Sequence, residues 1–343
     1  MNIAIFGFGT SGKYCCNILE NYKNVKNIFI INKIKIKITS NKLQQITFKT
    51  FLNKQKEIDC AIICTPSSDH YKYAKVCLEN NIQVLLEKPF TLQLKHAKQL
   101  ISLAKKKKLK CWTIFQNRYN LATNKMLNLT KEIGLDSVSL VDCCLYWHRS
   151  KKYYSNNWRG KYSSDGGVLT NQAIHLLDML IYTFGEIKSF NVLAGYNKKK
   201  LQAEDLIAIN FLHKNNIISS FKATTRADRN YEASIDILSN KKRFKVRGIS
   251  LNSFHYWNKK KFIKDKKNSE NFSTAKGQFG GMGNGHKKIF KEFLNKKTKL
   301  SSKNLEISKN LYVLKVIHSI YNDIFKNNKK YKKISEKQSI LGI

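Results

Sequence analysis

A glycine-rich turn near the start of the chain has the residues needed to bind a phosphate. Gly7, Gly9 and Gly12 follow an apolar run and open a helical segment, in the order G-x-G-x-x-G. In such a turn the first glycine permits the bend, the second lets the backbone approach a pyrophosphate and the third allows close helix packing. The helix N-terminus then stabilises the anion. The predicted dinucleotide contacts are Gly7, Gly9, Thr10, Ser11 and Gly12.

The residues at the end of the second predicted strand decide which dinucleotide binds. Asn32 and Lys33 stand there, roughly 20 residues past the glycines. Neither is the carboxylate that usually holds a ribose 2′-hydroxyl. Asn32 can still bond that hydroxyl, whereas Lys33 can pair with a 2′-phosphate. The sequence therefore predicts a nicotinamide dinucleotide and leaves NAD and NADP both open.

The chain has two prolines, and each follows a buried apolar run in a turn where a nucleotide-binding fold builds its cofactor site. Pro66 stands four residues before His70, and Pro89 follows Lys88. Because proline fixes φ and lacks a backbone donor, both turns are expected to be rigid. A lysine that is partly desolvated beside a positively charged nicotinamide releases its proton more readily. Lys88 therefore suits proton exchange with a substrate hydroxyl. The alternative is that Lys88 is an ordinary solvent-exposed lysine of a turn. The predicted cofactor contacts here are Thr65, Pro66, His70, Glu87 and Lys88.

A polar stripe interrupts an apolar segment later in the chain. Asn171, His175 and Asp178 have the spacing i, i+4 and i+7, which predicts one face of a helix from about Gly167 to Phe184. Histidine is the side chain best suited to general acid/base catalysis near neutral pH. We therefore predict that His175 exchanges a proton with the substrate, that Asn171 orients the substrate and that Asp178 orients His175. A buried histidine satisfied by local carbonyl groups is the alternative.

The chain resembles the glucose-fructose oxidoreductase and inositol dehydrogenase (Gfo/Idh/MocA) superfamily in two segments. These are Cys64-Thr65-Pro66 with His70, and Glu87-Lys88-Pro89. The resemblance extends over essentially the whole chain. It implies that Lys88 reaches the substrate beside the nicotinamide, that Glu87 supports it and that the Lys88–Pro89 bond is often cis. It also implies that Asn117-Arg118-Tyr119 lies near cofactor and substrate, although a structural arginine fits equally well.

The segment around His175 resembles the substrate helix of that family. Inositol dehydrogenase-like members carry Asp where this chain has Asn171, and asparagine cannot serve as a carboxylate base. The Asn-Gln-x-x-His form resembles members that oxidise nucleotide-linked sugars, such as the UDP-N-acetylglucosaminuronate 3-dehydrogenases. Trp158 and Arg159 suit stacking on a ring and binding a carboxylate or phosphate. The predicted substrate contacts are Lys88, Arg118, Trp158, Arg159, Asn171, His175, Asp178 and His286, with a capping or surface role open for His286.

Two different patterns of elements must position these residues. Over residues 1–117, strand and helix signals alternate, which predicts a doubly wound parallel sheet of the Rossmann type. Over residues 118–343, strand-like segments follow one another, which predicts an α+β domain with a large, mostly antiparallel open sheet that binds substrate and mediates oligomers. The predicted strands lie at 2–6, 27–31, 60–64, 83–86, 110–115, 187–197, 204–226 and 231–249. The predicted helices lie at 11–21, 70–80, 92–107, 121–133, 167–184, 286–295 and 304–327, with a lysine- and glycine-rich loop at 258–285.

Composition limits the class of protein. A chain of 343 residues that is 42% hydrophobic is long enough for two domains. Its net charge of +40 comes from lysines spread along the whole chain, which is typical of a solvated surface; attraction of anionic molecules or nucleic acid is the alternative. Its eight cysteines form no C-x-x-C pair and indicate reduced core residues. With neither a leader nor an apolar run of about 20 residues, we expect a cytoplasmic protein.

The motifs thus predict an NAD(P)-dependent oxidoreductase, and the resemblance implies that it acts on a sugar, nucleotide-linked or a uronic acid, made for a surface polysaccharide. The resemblance favours NAD and a homo-dimer or tetramer. From the residues and the composition we expect no metal and no nucleic-acid or membrane partner. A polyol, inositol-type or dihydrodiol dehydrogenase is the alternative within the enzymes. A dinucleotide-sensing regulator without catalytic activity is the alternative from another class.

Overall fold

The computed structural model describes residues 1–155, 158–196, 201–258, 260–270, 285–295, 298, 305–325 and 337–342. The chain forms two compact units. One comprises residues 1–114 and 286–311, and the other comprises residues 115–285 and 312–343. The assignment of cofactor binding to one part of the chain and substrate binding to the other stays a prediction.

The first unit contains a six-stranded, fully parallel sheet in the order β3-β2-β1-β4-β5-β6. After Asn2, the central strand β1 is a continuous apolar run of four buried side chains, as expected for a parallel strand covered on both faces. The chain order reverses between β1 and β4, so the turns after these two strands lie at the point where such sheets bind ligands. The strands are β1 (Asn2–Phe6), β2 (Asn27–Ile31), β3 (Leu43–Ile46), β4 (Cys60–Ile63), β5 (Gln83–Leu86) and β6 (Cys111–Thr113). The helices are α1 (Thr10–Leu19), α2 (Phe48–Lys54), α3 (His70–Glu79) and α4 (Leu94–Lys107).

Two elements of this sheet domain are absent from the sequence prediction. The strand β3 buries one of its four side chains, Leu43, and it forms one edge of the sheet. Helix α2 has seven residues and buries only Phe51. Because neither element carries a repeated apolar pattern, hydrophobic periodicity could not identify them.

The second unit contains an eight-stranded sheet in the order β14-β13-β12-β11-β7-β10-β9-β8, in which the pairing of β7 with β10 is parallel and the others are antiparallel. The predicted fold class is therefore confirmed. The strands are β7 (Val138–Tyr146), β8 (Ile187–Gly195), β9 (Leu206–His213), β10 (Ile218–Thr224), β11 (Glu232–Ser239), β12 (Arg243–Arg247), β13 (Ser253–Asn258) and β14 (Lys261–Asp265). The remaining helices of the chain are α5 (Leu121–Ile133), α6 (Lys151–Tyr154), α7 (Val168–Asn171), α8 (Ile174–Phe184), α9 (Gly285–Leu294) and α10 (Ile307–Ile324).

The predicted loop at 258–285 is wrong at its start, because β14 lies within it. None of the five side chains of β14 is buried, and the strand pairs with β13 at the edge of the sheet. An exposed edge strand has no need of alternating apolar residues, which explains why the pattern was missed. Residues 271–284 of the predicted loop lie outside the described residues.

The predicted single helix at 167–184 is also wrong, because it is two helices, α7 and α8, with a break at Gln172 and Ala173. The N–H groups of both residues donate to the carbonyl oxygen of Val168, at 3.1 and 2.8 Å. One carbonyl thus accepts from two successive donors, and the regular helical pattern stops. Asn171 and His175 therefore do not share one face of a single helix.

Within the described residues, no helix combines the length and apolar character that a bilayer crossing requires. All eight cysteines are free thiols. Seven of them are buried.

Candidate active site

The first and third glycines of the turn after β1 have the geometry that the motif requires. Gly7 has a φ of +89°, a conformation that strains any residue with a side chain. A Cβ atom on Gly12 would lie 2.1 Å from the carbonyl oxygen of Gly7. Only glycine therefore lets helix α1 pack this closely against the turn.

The second glycine leaves space for a ligand. A Cβ atom on Gly9 would meet nothing within 4 Å, and Gly9 is the N-cap of α1 without a side-chain capping bond. The first N–H groups of a helix have no intrahelical acceptor, and a phosphate satisfies them while it gains from the helix dipole. Thr10 is exposed and Ser11 is half-buried at this end of the helix. The turn thus fits the pyrophosphate of a dinucleotide.

Asn32 supports the same turn from the end of β2. Its Oδ1 accepts a hydrogen bond from the Phe8 N–H at 3.3 Å, and its Nδ2 donates to the Ile34 carbonyl at 2.8 Å. The side chain thus ties the glycine turn to the strand next to it, a role that the sequence did not reveal. Lys33 is exposed. A contact of either residue with a ribose stays a prediction.

His70 connects the two proline turns. Its Nδ1 lies 2.7 Å from the Pro89 carbonyl oxygen and its Nε2 lies 3.0 Å from the Thr65 carbonyl oxygen. Burial lowers the pKa of His70, so the ring tends to be neutral and donates to one of these oxygens. The side chain is 1% exposed, which assigns it to positioning the turns and leaves little surface for a cofactor. The Lys88–Pro89 bond is cis, as the resemblance implies.

Glu87 and His286 form a buried pair that also contacts the backbone of Lys88. The Oε2 of Glu87 accepts from the Lys88 backbone N–H at 3.3 Å, and its Oε1 lies 3.8 Å from His286 Nε2. His286 is 1% exposed, and its ring meets the ring of Tyr14 edge-on at 5.0 Å between centroids. The predicted supporting role of Glu87 fits this contact. His286, predicted to touch substrate, packs against Glu87 and Tyr14 within the first unit, and its contact with substrate stays a prediction.

In the second unit, His175 lies near an amide that the sequence analysis missed. Gln116 Nε2 is 3.4 Å from His175 Nε2, and the ring of Phe115 stands perpendicular to the imidazole at 6.1 Å between centroids. The Oε1 of Gln116 is buried without a hydrogen-bond partner among the described residues. Gln116 directly precedes the Asn117-Arg118 turn, which was the signal available in the sequence. An amide here can fix which imidazole nitrogen carries the proton.

Arg118 and Asp178 bind each other. Arg118 Nε donates to Asp178 Oδ2 at 2.8 Å, and its Nη2 donates to Asp178 Oδ1. The two side chains are 5% and 1% exposed, and the guanidinium lies 4.5 Å from the centroid of Tyr182. Burial raises the pKa of Asp178, and Arg118 opposes this shift. Asp178 therefore neutralises Arg118, and both side chains have little exposed surface. An orienting role of Asp178 toward His175, and a contact of Arg118 with cofactor or substrate, stay predictions.

Asn171 is held by a carboxylate that the sequence analysis did not single out. Its Nδ2 donates to Asp165 Oδ1 at 2.5 Å and lies 3.4 Å from the Tyr153 hydroxyl. Asp165 is 3% exposed, and its Oδ2 accepts from the Gly160 N–H at 3.3 Å. The amide of Asn171 thus has a fixed orientation, which suits the predicted role of orienting a substrate.

Trp158 and Arg159 lie together, as their sequence neighbourhood indicates. The Arg159 guanidinium is 4.4 Å from the centroid of the Trp158 ring, and both side chains are half-buried.

Among the residues that the structure describes, no group of three or more His, Cys, Asp or Glu side chains is placed to hold a metal ion.

Two family models match the chain. Residues 1–115 match the model described as an oxidoreductase family with an NAD-binding Rossmann fold. Residues 126–248 match the GFO/IDH/MocA C-terminal domain. The first match contains the glycine turn and both prolines, and the second contains Asn171 and His175.

Individual relatives agree with these matches. The chain is 22% identical over 220 residues to the scyllo-inositol 2-dehydrogenase (NADP(+)) IolW of Bacillus subtilis, covering 62% of this chain and 58% of the relative. It is 27% identical over 109 residues to the UDP-N-acetylglucosamine 3-dehydrogenase of Acidithiobacillus ferrooxidans, covering 32% of this chain and 35% of the relative. The matches thus span less than two thirds of either curated relative.

Among solved structures, the WlbA dehydrogenase of Bordetella pertussis, in complex with NADH and UDP-GlcNAcA, is similar with a TM-score of 0.79. The similarity covers 97% of this chain and 98% of that chain, at 19% sequence identity. At this identity the likeness concerns the fold.

Proposed function

We propose that this chain, which belongs to the Gfo/Idh/MocA family of oxidoreductases, is an NAD(P)-dependent dehydrogenase that acts on a sugar. The observation that carries the proposal is the glycine turn. Gly7 and Gly12 allow the close packing of α1, and Gly9 leaves open space at an uncapped helix N-terminus. Together with the open space, the free N–H groups suit a dinucleotide phosphate.

The chain's own residues then handle the proton. A bound nicotinamide ring supplies or accepts the hydride. His175 takes the proton of the reacting hydroxyl during oxidation and returns it during reduction. Lys88 donates a hydrogen bond to the same oxygen and stabilises its developing negative charge. Glu87 holds the turn that carries Lys88, and Asn171 orients the sugar.

The proposed substrate is a nucleotide-linked sugar or a uronic acid, of the kind used for surface polysaccharides. Asn171 supports this choice, since it cannot act as the carboxylate base that inositol dehydrogenase-like members carry at this position. The relative named UDP-N-acetylglucosamine 3-dehydrogenase points the same way. The neighbour solved with NADH and UDP-GlcNAcA supports it by fold alone.

A second candidate is a dehydrogenase of a free polyol. The longer of the two relative matches favours it, because that relative is named a scyllo-inositol 2-dehydrogenase (NADP(+)). The two candidates differ in whether the substrate carries a charged group.

A turnover assay tests the proposal. The purified protein is incubated with NAD⁺ or NADP⁺ and one of four compounds: UDP-GlcNAc, UDP-GlcNAcA, scyllo-inositol or glucose. Formation of reduced nicotinamide is then followed by absorbance. We expect turnover with a UDP-sugar, whereas turnover with scyllo-inositol alone favours the polyol enzyme. Dinucleotide binding without turnover of any compound favours the non-catalytic regulator.

A further inference from the structure

Three aromatic rings and two guanidinium groups alternate in the second unit. The Arg149 guanidinium lies 4.7 Å from the ring centroid of Trp147 and 5.3 Å from that of Tyr153. The Arg159 guanidinium lies 3.8 Å from the centroid of Tyr153 and 4.4 Å from that of Trp158. We call these five residues the arginine–aromatic stack. Stacking restrains each guanidinium, so less side-chain entropy is lost when it binds a ligand.

The stack holds two positive charges without a matching carboxylate. Among the described ion pairs, none includes Arg149 or Arg159. Arg149 Nη1 donates to two neutral acceptors, the His148 carbonyl at 2.7 Å and Asn230 Oδ1 at 3.3 Å. The cluster therefore keeps an excess of positive charge.

One acidic side chain lies close enough to influence the stack. The charge of Asp165 acts on the Tyr153 hydroxyl in the opposite sense to the charges of Arg149 and Arg159. Both oxygens of Asp165 already accept hydrogen bonds, from Gly160 and from Asn171. Two guanidinium groups and one carboxylate leave a net positive charge.

Two buried donors of the stack have no acceptor. Arg159 Nε and Trp147 Nε1 each lack a hydrogen-bond partner among the described residues. Both groups can only donate. Leaving a buried donor unsatisfied is unfavourable, so these two N–H groups are suited to donating to oxygen atoms of a ligand. An anionic group matches both the charge and the donors.

The stack also connects to the residues proposed to orient the substrate. The Tyr153 hydroxyl lies 3.0 Å from Gln172 Nε2 and 3.4 Å from Asn171 Nδ2. The ring that separates the two guanidinium groups thus touches the amide of Asn171. Helix α6, which carries Tyr153, is capped by the Ser150 side chain.

We propose that the arginine–aromatic stack binds an anionic group of the substrate, either a carboxylate or a phosphate, beside Asn171. Arginine binds both groups through paired N–H donors. This inference rests on the proposed function, because the anion belongs to the sugar whose hydroxyl reacts. It adds Arg149, Tyr153 and Trp147 to the predicted contacts Trp158 and Arg159.

Two pairs of probes test the inference by titration calorimetry on the full chain. UDP and uridine differ in their phosphates, and glucuronate and glucose differ in a carboxylate. We expect the charged member of at least one pair to bind at least about tenfold more tightly than its neutral partner. The pair that shows this advantage identifies the group as phosphate or carboxylate.

Arginine variants test whether the tighter binding of the charged probe depends on the arginine–aromatic stack. Arg159→Met and Arg149→Met are each expected to weaken binding of the charged probe at least about fivefold more than binding of its neutral partner. Arg229→Met is the matched control, because Arg229 also lies over a tyrosine, Tyr231 at 5.3 Å, but is exposed and paired with Asp228. Arg159→Lys keeps the charge and gives a second measurement if Arg159→Met does not fold.

The inference is overturned if neither charged probe has an advantage, or if the advantage survives both arginine substitutions. The proposed function fails separately. A wild-type enzyme that oxidises a sugar, but whose preference for anions survives the substitutions, keeps its function and loses this site. If the charged probe binds more tightly only when Arg159 is present, but no sugar is oxidised, the proposed anion site is supported and the proposed function is refuted.

Discussion

Arg118 and Asp178 form a buried ion pair that the sequence alone does not reveal. The two residues are 60 positions apart, so no local pattern links them. Each stands in a segment with a plausible chemical role, since Arg118 belongs to the Asn117-Arg118-Tyr119 turn and Asp178 follows His175 by three residues. Their mutual hydrogen bonds instead make them a structural pair that holds the segment of Gln116 against helix α8.

Replacing Arg118 with Met is expected to lower the free energy of unfolding by about 3–5 kcal/mol, because it leaves the Asp178 carboxylate buried without its partner. Arg118→Met combined with Asp178→Leu is expected to recover most of this loss, since the pair is then replaced by apolar side chains. Urea denaturation of the wild type and both variants measures the difference. A double variant no more stable than Arg118→Met would argue against the buried pair.

Glu204 is a second buried carboxyl group, and its protonation makes the stability of the fold depend on pH. Its Oε1 accepts hydrogen bonds from the Leu169 N–H at 3.0 Å and from the Tyr321 hydroxyl at 2.9 Å. Burial raises the pKa of Glu204 to about 7, although these two bonds oppose the shift. The folded protein therefore holds this proton more tightly than the unfolded chain. This difference in proton binding contributes to the free energy of unfolding. The contribution is fully present below the unfolded pKa of about 4.3 and is lost as the pH rises through about 7.

Glu204→Gln removes the titration while keeping the side chain's shape. The stability of the wild type relative to this variant is expected to fall by about 2–3 kcal/mol between about pH 5 and about pH 8. Chemical denaturation of both proteins at the two pH values gives this difference, in which the titrations of other groups cancel. An equal difference at both pH values would show that Glu204 does not titrate in this range.

At the scale of elements, the glycine turn joins β1 to the N-terminus of α1, and its glycines have different neighbours there. Gly12 packs against the carbonyl group of Gly7, whereas Gly9 faces open space. The same residue type therefore serves the fold at one position and the proposed ligand at the other.

Two alanine substitutions separate these roles. Gly9→Ala is expected to keep the melting temperature of the wild type, because Gly9 has an ordinary φ of −74° and no neighbour within 4 Å. It is expected to weaken NADH binding at least about tenfold, because the methyl group occupies the approach of the pyrophosphate. Gly12→Ala, the comparison variant, is expected to lower both the melting temperature and the affinity. Thermal unfolding and NADH fluorescence titration measure the two quantities, and unchanged NADH affinity in Gly9→Ala would refute the proposed phosphate position.

The sequence predicted elements well where apolar residues repeat and poorly where they do not. The bounds of β1, β2 and α5 agree with the prediction. The edge strands β3 and β14 were missed because they bury few side chains. The break between α7 and α8 was missed because apolar residues continue through it, and only the backbone bonds to Val168 reveal it.

At the scale of the whole molecule, the excess of basic residues is the property least explained by the fold. The chain has 63 Lys and Arg residues against 23 Asp and Glu residues, so most basic side chains have no acidic partner to bind. Such a charge affects solubility and attraction to anions, and does not determine the fold.

A random single-stranded oligonucleotide is therefore expected to bind weakly at low salt and to be released at physiological salt. Non-specific contacts with phosphates release counterions, and their affinity falls steeply as the salt concentration rises. Filter binding at two salt concentrations measures this dependence. Tight binding that persists at physiological salt would contradict the interpretation of the lysines as solvated surface.

The candidate site could be predicted from sequence only where its residues lie close together in the chain. The glycine turn, Lys88 and His175 each stand in a recognisable local motif. The contact between Gln116 and His175 joins residues 59 positions apart, and the arginine–aromatic stack depends on side-chain positions that no spacing rule describes. These tertiary contacts became visible only in the structure.

The proposed hydride transfer relies on His175 to exchange the proton and on Lys88 to stabilise the charge on the reacting oxygen. It is tested most directly by the rate of NAD⁺ reduction, with the UDP-sugar that the wild type oxidises, in His175→Ala and Lys88→Met. Both variants are expected to lose about 10²–10⁴-fold in kcat, with NADH affinity little changed in His175→Ala. Lys95→Met, which alters an exposed lysine of α4, is the control and is expected to keep the wild-type rate. Wild-type rates in both His175→Ala and Lys88→Met would contradict the assignment.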